Sequence, residues 1–233
     1  MNNIIATILT FAIALGWLRA MDFCAQRGWI DSRLSRKIIH IGTGPIYVLC
    51  WLMFKDSAEA RWLAALVPLA ITVQFALVGL GIMKDEASVQ AMSRSGDRRE
   101  ILRGPLYYGI VFVVLTLIFW KTSPGGIVAL MLMCGGDGIA DLVGRRIASP
   151  RLPWSREKST AGSISVFLGG FVTAAVVLGV YVAAGVFPGP LTRYLVPLAL
   201  VCLAGMAVES LPYRDIDNIT VAVAAAMLGY FLF

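Results

Sequence analysis

Residues 126–148 read "GIVALMLMCGGDGIADLVGRRIA", an unbroken apolar run that passes through paired glycines into Asp137 and Asp141 and closes on Arg145 and Arg146. A carboxylate near hydrocarbon costs roughly 2.5–3.5 kcal/mol even on lenient insertion scales, so two of them at the end of an apolar helix need compensation. The surrounding chain is of the same kind. Of 233 residues, 58% are hydrophobic and 15% charged, and the mean hydropathy of +0.79 lies outside the range of ordinary soluble domains.

A hydrocarbon core of roughly 30 Å needs about 20 apolar residues to cross it as a helix. Eight segments approach that length: 4–18, 38–54, 62–83, 105–120, 127–143, 163–187, 191–208 and 219–233. The first, fourth and last are short. Lipid leaves no water for an open backbone, and no alternating strand pattern suggests a barrel, so the expected fold is all-α. It is a polytopic membrane helical bundle of about eight transmembrane helices, with residues 1–233 as one integral-membrane domain.

The basic residues orient this bundle. Sixteen of the twenty Lys and Arg lie in alternate connections, between Arg19 and Lys37, Lys84 and Arg103, Arg145 and Lys158, and at Arg214. The intervening connections hold only Lys55, Arg61, Lys121 and Arg193. By the positive-inside rule the first set is cytoplasmic. The net charge of +6 is thereby explained by topology, and no nucleic-acid partner is expected. The first span has no basic residue before it and no cleavage pattern, which reads as an uncleaved helix. With no transit peptide in view, a multi-pass protein of a bacterial inner membrane is expected. Cys24, Cys50, Cys134 and Cys202 show no metal-type spacing and read as packing residues.

The polar residues that carry chemistry fall on the cytoplasmic side. Asp137 and Asp141 are four apart and share a helix face, with Gly144 on the same stripe. Adjacent carboxylates repel unless a cation separates them. With Gly135, Gly136 and Gly138 leaving room for a phosphate, they describe a Mg²⁺ site completed by substrate oxygens. The plainer alternative is a pair of acids neutralised by Arg145 and Arg146. Glu209, Asp217 and Asn218, with Asp215, reach the same level and are candidates to complete the cation shell.

Lys158, Ser159, Thr160 and Ser163 open the sixth span, where a helix N-terminus, a capping hydroxyl and a lysine form an anion cradle with the Gly162 backbone. The Walker pattern is not met, because Leu152 stands at its first glycine. An ordinary helix start with a snorkelling lysine is the alternative. Arg94, Arg98, Arg99 and Arg103 suit phosphates or anionic lipid headgroups equally. Arg36, Lys37 and His40 lie near one helix face. A lone histidine is as a rule a hydrogen-bonded structural residue, and His40 is here also a candidate general base or phosphate ligand.

Five stretches in order resemble the phytol kinase branch of the polyprenol kinases, which includes dolichol kinase and is related to the CDP-diacylglycerol synthases. They are "RKIIHIGTG" (36–44), "SRSGDRREILRGPLYYG" (93–109), "GDGIADLVGRR" (136–146), "KSTAGSISVFLGG" (158–170) and "VESLPYRDIDN" (208–218). Ala161 stands where dolichol kinases and cytidylyltransferases carry a glutamate, which favours the phytol branch; Ala222 stands where a proline is expected.

The resemblance implies transfer of the γ-phosphate of a nucleoside triphosphate, usually CTP, to an isoprenoid alcohol in the membrane, with Mg²⁺ as cofactor. Asp137 and Asp141, helped by Asp217, Asn218 and Glu209, would hold the ion. Lys158, Ser159, Gly162, Arg99 and Arg145 would hold the phosphates. Asp141 or His40 would take the hydroxyl proton. Two rivals remain at this level: a cytidylyltransferase acting on a lipid phosphate, and an ion-coupled transporter, which tends to hold such acids at the midplane rather than at one face.

Overall fold

The computed structural model describes residues 1–93, 95–213 and 216–233, with the Ser32 side chain set aside. It is an all-α membrane bundle. Each expected span corresponds to a helix: α1 (Asn3–Gln26), α2 (Ser32–Cys50), α3 (Ala60–Leu80), α5 (Gly104–Ile118), the composite α6–α7, α8 (Thr160–Ala183), α9 (Thr192–Glu209) and α10 (Asp217–Leu232). A short α4 (Glu86–Met92) lies between α3 and α5. Among the described residues six of these segments are long and apolar enough to cross a membrane, the α5 span counted from Arg98. Among the other two, α10 is shorter, and α2 starts with Arg33, Arg36 and Lys37.

The composite helix is the core of the bundle. α6 (Pro124–Met131) continues through a π-helical turn (Leu132–Asp137) into α7 (Gly138–Arg146). Ile127 through Cys134 are all 0% exposed. The stretch is therefore apolar all round because it is surrounded by other helices, not by lipid. The lipid-facing role falls to residues such as Ile4 and Ile8 on α1, Val176 on α8 and Phe231 on α10.

Glycine permits the close packing. A Cβ on Gly135 would lie 2.3 Å from Thr173 Oγ1, and one on Gly169 would lie 2.7 Å from the Gly135 carbonyl oxygen, so the π-turn and α8 meet almost backbone to backbone. The extra residue that a π-turn inserts re-aims the next stretch of helix, here Asp137 and α7. The same kind of contact joins α6 to α10, where a Cβ on Gly229 would lie 2.8 Å from Gly125 Cα.

The two ends of the bundle separate as the charge pattern requires. At one end the Asn3 amide donates to Ser57 Oγ at 2.8 Å and Lys121 pairs with Asp56 at 2.6 Å. At the other end the Arg36 guanidinium donates to the Ser93 carbonyl at 3.0 Å and the Trp154 indole to the Ser210 carbonyl at 3.1 Å. Here the sequence reading missed a hairpin: β1 (Arg151–Leu152) pairs antiparallel with β2 (Ser155–Ser159), and β2 delivers Lys158 and Ser159 to the start of α8.

Gly229→Ala is expected to destabilise the protein by about 1–3 kcal/mol, because its Cβ must displace backbone. Gly16→Ala, which meets nothing within 4 Å in the middle of α1, is expected to leave stability unchanged or raise it by up to about 1 kcal/mol. Thermal unfolding of the two variants in one detergent compares them directly.

Candidate active site

A cavity of about 1030 Å³ opens among the residues of the polar end and continues between helices. Its polar part is lined by Lys37, His40, Asp137, Asp141, Arg145, Lys158, Ser159, Ser163, Glu209, Asp217 and Asn218. The acids do not stand free. Asp141 Oδ2 accepts from Lys37 Nζ at 3.0 Å, and its Oδ1 from Arg145 Nε at 2.8 Å. Asp137 Oδ2 lies 3.4 Å from His40 Nε2. Lys158 Nζ bridges Glu209 and, at 3.5 Å, Asp217. Burial alone would depress the Lys158 ammonium, but Glu209 and Asp217 outweigh it and hold its pKa above the ordinary value. From neutral pH up to the unperturbed pKa of about 10.4 its charge and the stability its ion pairs contribute are thus fully present, and they fade as pH rises through the elevated folded pKa.

His40 is held at Nε2, at its carbonyl and at its ring face. Its Nε2 also lies 3.2 Å from the Met133 carbonyl oxygen. A ring nitrogen between two acceptors carries a proton, so Nε2 is a donor in this arrangement. The Tyr108 hydroxyl donates to the His40 carbonyl at 2.8 Å and touches Cys134 Sγ at 3.0 Å, and the Tyr108 and His40 rings lie 4.6 Å apart. Gly138 makes this approach possible, since a Cβ there would lie 2.4 Å from Ile41 Cγ1 on α2.

Three expectations meet particulars of the geometry that the sequence did not show. First, Asp137, Asp141, Glu209, Asp217 and Asn218 line one cavity but do not form a ready cation shell. Among the described residues no three His, Cys, Asp or Glu side chains are grouped closely enough to hold an ion, because Lys37, Arg145 and Lys158 are interposed. Asp215 lies outside the described residues, as do Arg94 and Arg214.

Second, the Gly162 N–H is not available to a phosphate. It donates to Ser159 Oγ at 3.2 Å, while the preceding amides of Thr160 and Ala161 donate to the Pro150 carbonyl and to Ser149 Oγ. What the start of α8 offers is side chains. Ser163 Oγ is buried with no hydrogen-bond partner, four residues from Ser159 on the cavity wall. Trp17 Nε1, on the same cavity, is likewise unpaired. Buried polar atoms of this kind are rare and mark places where a ligand or water completes the bonding.

Third, Arg99 is exposed and lines a separate shallow depression with Asp97 and Glu86. Arg36 and Arg103 line the main cavity in its stead. Tyr108 and Lys37 are the contributors that the sequence reading did not assign; their signal was position, inside two of the five motifs.

A polar chamber dressed with cations thus sits at one end of the membrane bundle and continues into an apolar interior. Over 230 residues the chain is 44% identical to a probable chloroplastic phytol kinase 1 of Oryza sativa subsp. japonica, covering 98% of this chain and 73% of that protein. It is 41% identical to a probable chloroplastic phytol kinase of Triticum aestivum, covering 98% and 77%. It is 37% identical to a chloroplastic farnesol kinase of Arabidopsis thaliana, covering 100% and 76%.

The chain belongs to this phytol and farnesol kinase branch of the polyprenol kinases. No family model matches it, and no solved structure does. Membership sets the transporter reading aside. The relatives are plant proteins named as chloroplastic, so the expectation of a bacterial inner membrane gains no support; a multi-pass membrane protein stands.

Lys158→Met is expected to destabilise the protein by about 3–5 kcal/mol, because it strands Glu209 as a buried charge. Adding Glu209→Gln should recover most of that loss. Thermal unfolding of the single and double variants measures both.

Proposed function

We propose that the chain phosphorylates an isoprenoid alcohol, with CTP as donor and Mg²⁺ as the assisting ion. The carrying observation is the one continuous cavity: Lys37, Lys158, Arg145 and the unpaired Ser163 hydroxyl at its polar end, and helix-lined hydrocarbon beyond. Phosphoryl transfer asks mainly for positioning and for neutralisation of charge on phosphate oxygens. CTP rests on the family resemblance, as does the metal.

The donor set suits Mg²⁺ on a nucleotide. Such an ion ordinarily takes one or two protein carboxylates and completes its shell with phosphate oxygens and water, so it does not need three acids gathered in advance. Asp137 and Asp141 would hold it, and it would neutralise charge on the transferring phosphate. Lys158 and Lys37 exchange part of their bonding from carboxylate to phosphate when the triphosphate arrives. Ser159 and Ser163 donate hydroxyl bonds from one face of α8. The alcohol lies with its hydroxyl near His40 and its tail among the helices.

The proton acceptor is Asp137. Asp141 has a cationic donor on each oxygen, whereas Asp137 meets the Nε2 of the His40 ring, which also faces the Met133 carbonyl; this favours Asp137 over Asp141 for the role. His40 orients Asp137. The cavity opens on the side where the basic connections gather, the cytoplasmic side or its organellar equivalent.

Incubating the purified protein with CTP and phytol or farnesol tests the reading. CDP and a prenyl monophosphate are expected. Release of pyrophosphate with a cytidylyl lipid would instead make it a cytidylyltransferase, and equal use of ATP would remove the CTP assignment. Asp137→Asn is expected to lower kcat by about a hundred- to ten-thousand-fold. Ser163→Ala is expected to raise the KM for nucleotide by roughly tenfold, the loss of one hydrogen bond.

A further inference from the structure

Beyond His40 the cavity turns apolar and runs between α1, α2, α3 and α5. Each helix gives it a stripe at helical spacing: Thr10, Ala14 and Trp17 on α1, and His40, Thr43, Tyr47 and Cys50 on α2. Val67, Ile71 and Phe75 line it from α3, and Tyr108 and Phe112 from α5. The helices alternate in direction, so Thr10, Tyr47, Cys50 and Val67 all lie at the far end, away from the cations.

That end is closed. The Tyr47 hydroxyl donates to the Ala64 carbonyl at 3.0 Å and meets Thr116 Oγ1 at 3.1 Å, tying α2 to α3 and α5 across the bottom. Thr10, Val67 and Tyr47 are 1%, 1% and 4% exposed, so the floor is packed. Beneath it Trp51 stands edge-on to Tyr47, with 5.7 Å between ring centroids.

The depth is set by α2. Ten residues separate His40 from Cys50, about 15 Å at about 1.5 Å per residue. Zigzag carbon chains with bonds of about 1.5 Å give roughly 5 Å per extended isoprene unit. Three units span the arm from its floor to His40, and a fourth carries the head about 5 Å past His40 toward the cations.

We propose that this arm holds the isoprenoid tail and that its floor at Thr10, Tyr47, Cys50 and Val67 measures it, limiting the substrate to about three or four isoprene units. The proposal deepens the phosphotransfer reading and rests on it for the nature of the ligand. The floor rejects longer polyprenols because they have nowhere to go without breaking the Tyr47 crossbar. Shorter alcohols bind weakly because they leave apolar wall unfilled.

The test uses the full chain in detergent, with geraniol, farnesol, phytol and the nine-unit solanesol, and reads two signals: the shift in Tm on adding alcohol, which reports binding, and phosphate transfer from CTP. Wild type should respond to farnesol and phytol at least tenfold better than to solanesol in kcat/KM, with Tm shifts in the same order. Thr10→Phe raises the floor and should lower the phytol-to-geraniol ratio at least tenfold. Ala14→Phe, one turn of α1 nearer His40, should lower the farnesol-to-geraniol ratio as well.

Equal responses of wild type to solanesol and phytol overturn the proposal, and this comparison needs no variant to fold. So does a wild-type order of alcohols in both variants. If Tm shifts track chain length while wild type phosphorylates nothing, the arm stands and the kinase reading falls. If transfer occurs without length dependence, the reverse holds.

Discussion

Carboxylates sunk among apolar helices have to be met by cations, and that requirement organises the whole polar end of this molecule. None of Asp137, Asp141, Glu209 and Asp217 is answered only from its own element. Asp141 on α7 is met by Lys37 on α2 as well as by Arg145, and Asp137 by His40 of α2. Glu209 at the end of α9 and Asp217 at the start of α10 share Lys158 from β2. The bonds that offset burial also sew α2 to α7, and the hairpin to the last two helices. Glycine makes the distances possible: Gly138 lets α7 approach α2, and Gly135 with Gly169 lets the π-turn lie on α8.

α2 links the two halves of the cavity. Its first turns carry the charges that other spans avoid, and it therefore reads as the least membrane-like of the long helices. Its later turns carry Thr43, Tyr47 and Cys50 into the apolar arm. One continuous helix thus presents a cation, a ring donor and a hydrocarbon wall in sequence, and fixes their separation by its own rise. Tyr108 of α5 supports the junction by holding the His40 backbone and stacking near its ring.

The spans were legible because membrane-length apolar runs have a physical length to match, and the side on which the chemistry gathers was legible because the basic connections alternate. The π-turn was not. Its only mark in the sequence is the pair Gly135 and Gly136, which equally suits an ordinary close-packed helix. The hairpin escaped notice because "SREKS" is too short and too charged to show alternation. Asp137, Asp141, Lys158, Glu209 and Asp217 were rightly brought to one chamber by their spacing and level. Their mutual pairing was not readable, since it depends on which lysine side chain reaches across which gap. The arginines at 98, 99 and 103 gave no hint that Arg103 faces the cavity and Arg99 the outside, because the short 3-10 helix at Arg98–Leu102 offers too little periodicity to sort them. The Gly162 N–H is engaged by the capping Ser159 hydroxyl, and the acceptors of the two amides before it, the Pro150 carbonyl and Ser149 Oγ, come from an irregular loop that the sequence pattern does not sort.

Self-neutralisation has a further consequence. A wet hollow set into a bilayer endangers any voltage or proton gradient which that bilayer sustains. Here each of the four acids is already paired within the protein, Glu209 and Asp217 sharing Lys158, and the crossbar made by the Tyr47 hydroxyl seals the hollow toward the opposite leaflet. Among the described residues no row of exchangeable charges leads along this hollow from one surface to the other. A polar chamber of this size can thus sit in a bilayer while its far end stays closed.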